Sequence, residues 1–176
     1  NVKIFDSLSK AIEKYNLIFA TTNRKRFIEK KKINSFDQFN KLLELSSKSA
    51  IIFGPENSGL SNQDLRLSDY ILTIETSKSN NSLNISHAVS IVSFKINEYS
   101  RSSKNENLKP LLDISNKKDL NKFMVFLVNI LDKKNFFSPK EKKESMIDNI
   151  YAIFLKASLT KKEINTLWGI TKKLIK

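Results

Sequence analysis

The chain holds no cysteine, and only three glycines, three prolines and one histidine among its 176 residues. Without cysteine there is no disulfide, no thiolate metal ligand and no redox thiol. A single histidine is too little to complete a zinc shell, so no metal is expected. No run approaches the roughly 18–20 uninterrupted apolar residues of a membrane span, and no secretory pattern is read in the chain. These absences predict a cytoplasmic protein with no membrane contact. Glycine is so scarce that its placement carries information. Gly54 and Gly59 fall within six residues of each other, where backbone must turn or pass close to another atom.

What is abundant is positive charge. Lysine and arginine number 31 against 18 acids, a net charge of +13. Such an excess favours an RNA or DNA partner, because each neutralised phosphate releases counterions. Apolar residues make up 40% of the chain, with 12 phenylalanines, enough to build a core.

Residues 1–100 alternate between two periodicities. Val2–Phe5 reads as a short strand, and Asp6 and Ser7 as caps for a helix running to about Tyr15. Leu17–Thr21, Ala50–Phe53 and Tyr70–Ile74 are the short apolar runs of buried parallel strands. Thr22–Lys32 reads as a polar loop, and Phe36–Leu45 has helical spacing. Ser61-Asn62-Gln63-Asp64 is a capping box. After Ser82 a long helix is predicted, with Ile85, Ala88, Val89 and Val92 inward. The fold class is therefore α/β with a parallel sheet, incomplete at its N-terminal edge. Arg101–Lys109 reads as a linker. Beyond it the pattern is helical only: Leu120 to Leu131 form one stripe, Ser138-Pro139-Lys140-Glu141 is a second capping box, and Thr160-Lys161-Lys162-Glu163 a third. The second opens a helix burying Met146, Ile147, Ile150, Tyr151 and Phe154; the third, one with Ile164, Leu167, Trp168 and Leu174. Residues 104–176 hold 16 lysines against 8 acids, a basic helical region beside a sheet domain spanning 1–103.

Three segments carry chemistry. Ile-Ile-Phe-Gly-Pro-Glu-Asn-Ser-Gly-Leu (51–60) reads as a strand leaving the sheet through a glycine turn into a capped helix. Its amides suit a polar ligand edge, although an ordinary βα turn has the same spacing. It is not a Walker loop, since Gly59 is followed by Leu60 rather than Lys. Asn-Ser-Leu-Asn-Ile-Ser-His-Ala-Val (81–89) places Ser82 at a helix start, where an N-cap is its commonest role, and leaves His87 structural. Arg24 to Lys32 carries six bases in nine residues, with two of the four arginines. Placed after a strand, these bases point to phosphate contact, for which arginine is the better suited.

Taken together, Thr-Thr-Asn-Arg-Lys-Arg (21–26), the glycine phrase and Ser-Leu-Asn-Ile-Ser-His-Ala-Val (82–89) resemble the SpoU (TrmH-type) branch of SPOUT RNA methyltransferases. Within it the match is closest to the TrmJ-type tRNA 2′-O-methyltransferases. The resemblance implies a trefoil knot at the carboxyl end of the sheet that holds S-adenosylmethionine. It implies cofactor contacts from Thr21, Thr22, Asn23, Gly54, Ile74, Asn81, Ser82 and Leu83, with Glu56 and Asn57 shaping the glycine loop. Ser82 would face the target ribose as the catalytic serine, Arg24 and Arg26 would hold RNA phosphates, and Asn84 would help fix the knot. The implied partners are tRNA, methylated at the anticodon-loop pyrimidine 32, and a second copy of the chain in a homodimer. Ribosomal RNA as substrate, or a non-catalytic RNA-binding knot subunit, are the alternatives.

The family also begins with a motif of Asn, Gly and an arginine that helps activate the 2′-hydroxyl. No match for it precedes Ile4, so the expectation is that this arginine is supplied from outside these 176 residues.

Overall fold

The computed structural model describes residues 2–24, 28, 30–76, 83–102 and 113–175. Its centre is a four-stranded parallel sheet built from β1 (Leu17–Thr21), β2 (Lys31–Ile33), β3 (Ser49–Ile52) and β4 (Tyr70–Leu72), in the order β2-β4-β1-β3. Leu17 pairs with Ser49 and Phe19 with Ile51 on one side of β1, while Phe19 pairs with Tyr70 on the other.

β1 is apolar and buried from Leu17 to Ala20 because both of its faces are covered. Leu17 and Phe19 point into a cluster with Ile33, Phe39, Leu72 and Val92. Ile18 and Ala20 point the opposite way, among Ile12, Ile28, Ile52, Leu60 and Leu65. Phe19 stacks on Tyr70 at 5.5 Å and meets Phe39 edge-on at 4.9 Å, so the central strand is held by aromatic contacts as well as by area.

The helices α1 (Leu8–Ile12), α2 (Phe36–Leu43), α3 (Asn62–Arg66) and α4 (Ile85–Ser102) complete this layer. Ser7 and Ser35 cap α1 and α2, and Ser61 with Asp64 forms the capping box of α3 expected from the sequence. Four expectations fail. Val2–Phe5 forms no strand: it has no ladder partner among the described residues, and Val2 and Ile4 are 96% and 95% exposed. The supposed loop 22–32 ends in β2, whose Lys31 and Lys32 are exposed at a sheet edge while Ile33 is buried. Lysine is a common way of blunting such an edge, and it hid the strand. Of the four α4 residues expected to face inward only Val92 is buried; Ala88 is half-buried, and Ile85 and Val89 are exposed. Arg101 and Ser102 continue α4 rather than opening a linker; residues 103–109 and the boundary at 103/104 lie outside the described residues.

α5 (Lys117–Lys133), α6 (Lys143–Lys156) and α7 (Lys161–Leu174) enclose their own core of Leu120, Phe123, Met124, Phe137, Ile147, Tyr151, Leu155 and Ile164. Thr160 and Glu163 make the expected capping box. Ser138 does not. The residue in cap geometry is Pro139, which has no side-chain acceptor, and it leads into a 3-10 turn at Lys140–Lys142 before α6 begins. Leu174, expected in this core, is the last residue of α7 and is 80% exposed.

The bundle is docked on the sheet by polar bonds. The first amides of α5, at Lys117 and Lys118, donate to the carbonyls of Tyr15 (2.8 Å) and Glu13 (3.1 Å), satisfying helix-end donors that otherwise lack partners. Asn16 Nδ2 donates to Ile114 O at 2.6 Å, and Arg66 of α3 pairs with Glu144 and Asp148 of α6.

Candidate ligand site at the carboxyl edge of the sheet

Because β1 lies between β3 and β4, the segments leaving these three strands share one edge. In an open α/β sheet, ligands bind outside the carboxyl ends of the strands. Side-chain and backbone bonds tie these segments together.

Thr21 ends β1, and its hydroxyl donates to Ile52 O at 2.9 Å, joining it to β3. Thr22 N donates to Leu72 O at 3.3 Å, joining the next residue to β4. Asn23 Nδ2 lies 3.4 Å from Thr76 Oγ1, across the same two segments. Ile74, just past β4, packs half-buried against the cluster around Phe19.

The glycine turn after β3 is closed on itself. A Cβ on Gly54 would lie 2.3 Å from Leu60 N and 2.5 Å from Gly59 C, so no other residue fits without opening the loop. Gly59 adopts φ +66°, a left-handed conformation that favours glycine, and its amide donates to Pro55 O at 2.7 Å. From one side Arg24 reaches this loop, donating to Ser58 O at 2.6 Å and Asn57 O at 2.9 Å. From the other, Glu56 Oε1 accepts the amide of Ile85 at 3.1 Å, at the positive end of α4. Glu56 and Asn57 are thus structural parts of the loop. Its join to α4 through Glu56 carried no sequence signal.

Asn84 takes the capping role at α4: its Oδ1 accepts Ser86 N at 2.9 Å and the Ser86 hydroxyl, and its carbonyl accepts Ala88 N at 3.0 Å. Leu83 is half-buried, and His87 is exposed in the first turn. Arg26, Asn81 and Ser82 lie outside the described residues.

The basic stretch 24–32 is not one outward-facing patch. Lys30 turns inward, with Nζ donating to Ser68 O at 2.6 Å and Arg66 O at 3.0 Å. Burial lowers its pKa to about 8; the nearby Asp69 carboxylate raises it and only partly offsets that, while Lys117 lowers it further. Alternation along β2 and the loop before it is too short for the sequence to reveal this inward turn.

The polar groups gathered at the edge are backbone amides and carbonyls, threonine hydroxyls and an asparagine amide, with the half-buried apolar Ile74 beside them. Among the described residues no group of His, Cys, Asp or Glu could hold a metal ion. The set is mainly backbone, and the two charged side chains that reach it, Arg24 and Glu56, are both engaged in holding the glycine loop.

Residues 1–94 match the model of the SpoU rRNA Methylase family, more than half of the chain. The chain belongs to that family. This SpoU chain is 27% identical over 147 residues to the tRNA (cytidine-2′-O-)-methyltransferase TrmJ of Methanocaldococcus jannaschii, covering 82% of the chain and 63% of that relative. It is 28% identical over 171 residues to the tRNA (cytidine/uridine-2′-O-)-methyltransferase TrmJ of Photorhabdus laumondii, covering 95% and 70%. Among solved structures, TrmJ from Z. mobilis ZM4 superposes with a TM-score of 0.85 at 26% identity, covering 99% of this chain and 74% of the other. The chain therefore spans less than two thirds of the archaeal relative. The α/β parallel-sheet fold expected for the SpoU branch, and the extension of the likeness into the helical bundle, both follow from the superposition.

Proposed function

We infer that this chain carries the cofactor site of an S-adenosylmethionine-dependent tRNA 2′-O-ribose methyltransferase. The observation that carries this reading is the tying of three strand-end segments into one mainly backbone cradle by Thr21, Thr22, Arg24, Gly54 and Glu56, a lining that suits a nucleoside cofactor. The relatives named as tRNA ribose methyltransferases supply the substrate, and favour tRNA over ribosomal RNA. The target is the pyrimidine at anticodon-loop position 32.

S-adenosylmethionine supplies an electrophilic methyl group. The protein's task is chiefly positioning: the 2′-hydroxyl must approach in line and lose its proton. Thr21, Thr22, Asn23, Gly54, Ile74, Asn81 and Leu83 hold the cofactor, largely through backbone groups. Ser82 orients the ribose, and Arg26 meets a phosphate. The edge is knotted, residues 1–103 form the methyltransferase region, and 104–176 add a basic helical region. The working unit is a homodimer.

Ribose-methylation mapping of tRNA from cells with and without the full gene tests this. Loss of the 2′-O-methyl mark at position 32 is expected; an unchanged anticodon loop contradicts it.

A further inference from the structure

We propose that Arg24 is a positioning residue that clamps the glycine loop and thereby sets cofactor affinity, rather than a phosphate contact. This rests on the S-adenosylmethionine reading of the site. The expectation from the sequence is that Arg24 faces RNA. The geometry turns it toward its own protein instead. Its two terminal nitrogens donate to the consecutive carbonyls of Asn57 and Ser58 at 2.9 and 2.6 Å. The planar fork meets the two carbonyls with two separate nitrogens held in one plane, whereas an ammonium, as at Lys30, must reach both of its acceptors from a single nitrogen.

The seat for the fork is built from glycine. A Cβ added to Gly59 would meet Arg24 Nε, Cδ and Cζ at 3.7–3.9 Å, so the arginine side chain lies directly over the bare Cα. The backbone beneath the arginine is fixed too, since Arg24 N donates to Thr22 Oγ1 at 3.2 Å. Thr22 is itself tied to β4 through Leu72 O. The clamp therefore links the β1 and β3 segments, and through Thr22 reaches β4. With Glu56 holding the opposite flank of the loop on Ile85 N, the turn 54–60 is gripped from both sides. A cradle made of backbone groups binds tightly only when its backbone is already in place, and a clamp of this kind supplies that preorganisation.

The experiment uses the full-length protein with Arg24→Met and Arg24→Lys. Amide hydrogen exchange without ligand reads the loop, titration calorimetry reads S-adenosylmethionine, and filter binding reads a tRNA transcript at several salt concentrations. Both variants should speed exchange at Gly59 and Leu60 and weaken S-adenosylmethionine binding at least about tenfold, while tRNA affinity stays within about twofold. Lysine should not rescue, because the fork and not the charge is used. Unchanged exchange at the loop overturns the clamp, whatever the ligands do. So does weaker tRNA binding in Arg24→Met that Arg24→Lys restores, with a salt slope lower by about one. A wild-type protein that binds no S-adenosylmethionine sinks the cofactor reading separately, and the exchange result still decides the clamp.

Discussion

Lys117, at the start of α5, reaches Asp69, just before β4, in a 2.7 Å ion pair with both partners buried. The other carboxylate oxygen of Asp69 accepts the amide of Ile18 in β1, also at 2.7 Å. One carboxylate thus joins the central strand of the sheet to the first helix of the bundle. Removing Lys117 leaves that carboxylate buried with one oxygen unmatched, which costs about 3–5 kcal/mol in comparable buried pairs. Lys117→Met should lower unfolding free energy by that order in urea. Adding Asp69→Asn should recover part of it, since the amide oxygen can still accept Ile18 N. A loss below about 1 kcal/mol for Lys117→Met would contradict a docking role for the pair.

Lys30 gives the same junction a pH dependence of definite sign. Its folded pKa of about 8 lies below the ordinary lysine value of 10.5. Between those values the unfolded chain binds more protons than the folded one, so the contribution of Lys30 to stability rises with pH across that window. Below about pH 8 both states are protonated and the burial penalty is present in full. The neutral amine keeps two N–H donors, matching the two carbonyls of Arg66 and Ser68. The difference in unfolding free energy between wild type and Lys30→Met should therefore shift toward wild type from pH 8 to 10. A flat difference contradicts the assignment.

The three glycines rank themselves. At Gly54 a methyl group strikes backbone, so Gly54→Ala should open the turn, cost about 1–3 kcal/mol and abolish S-adenosylmethionine binding. At Gly59 there is room, and Gly59→Ala should lose only about 1–2 kcal/mol for the left-handed φ. At Gly169, in the middle of α7, nothing lies within 4 Å of an added Cβ, and Gly169→Ala should gain about 1 kcal/mol of helix propensity. Thermal melts with cofactor calorimetry check the order. A Gly54→Ala protein that binds the cofactor normally would refute the closed-turn account.

Elements whose information is local were legible in the sequence. Leu17–Ala20 is apolar at every position because both faces are covered, and Ser61/Asp64 and Thr160/Glu163 mark the starts of their helices. Elements defined by a distant neighbour were not. Val2–Phe5 has strand composition but no strand beside it, while Lys31–Ile33 has poor strand composition and is held by pairing with β4. The site divides the same way. The tight turn at Gly54 was visible from glycine scarcity alone. The inward turn of Lys30 depends on carbonyls 36 and 38 residues away, and the fork of Arg24 on carbonyls 33 and 34 residues away. Basic residues in a row look alike until the chain is folded.

The most direct test of the central claim is methyl transfer itself. The full-length protein is incubated with methyl-labelled S-adenosylmethionine and tRNA, and the RNA is digested to nucleosides and separated. The account predicts label in a 2′-O-methylated pyrimidine nucleoside. No label in tRNA, or label carried on a base instead of a ribose, would contradict it.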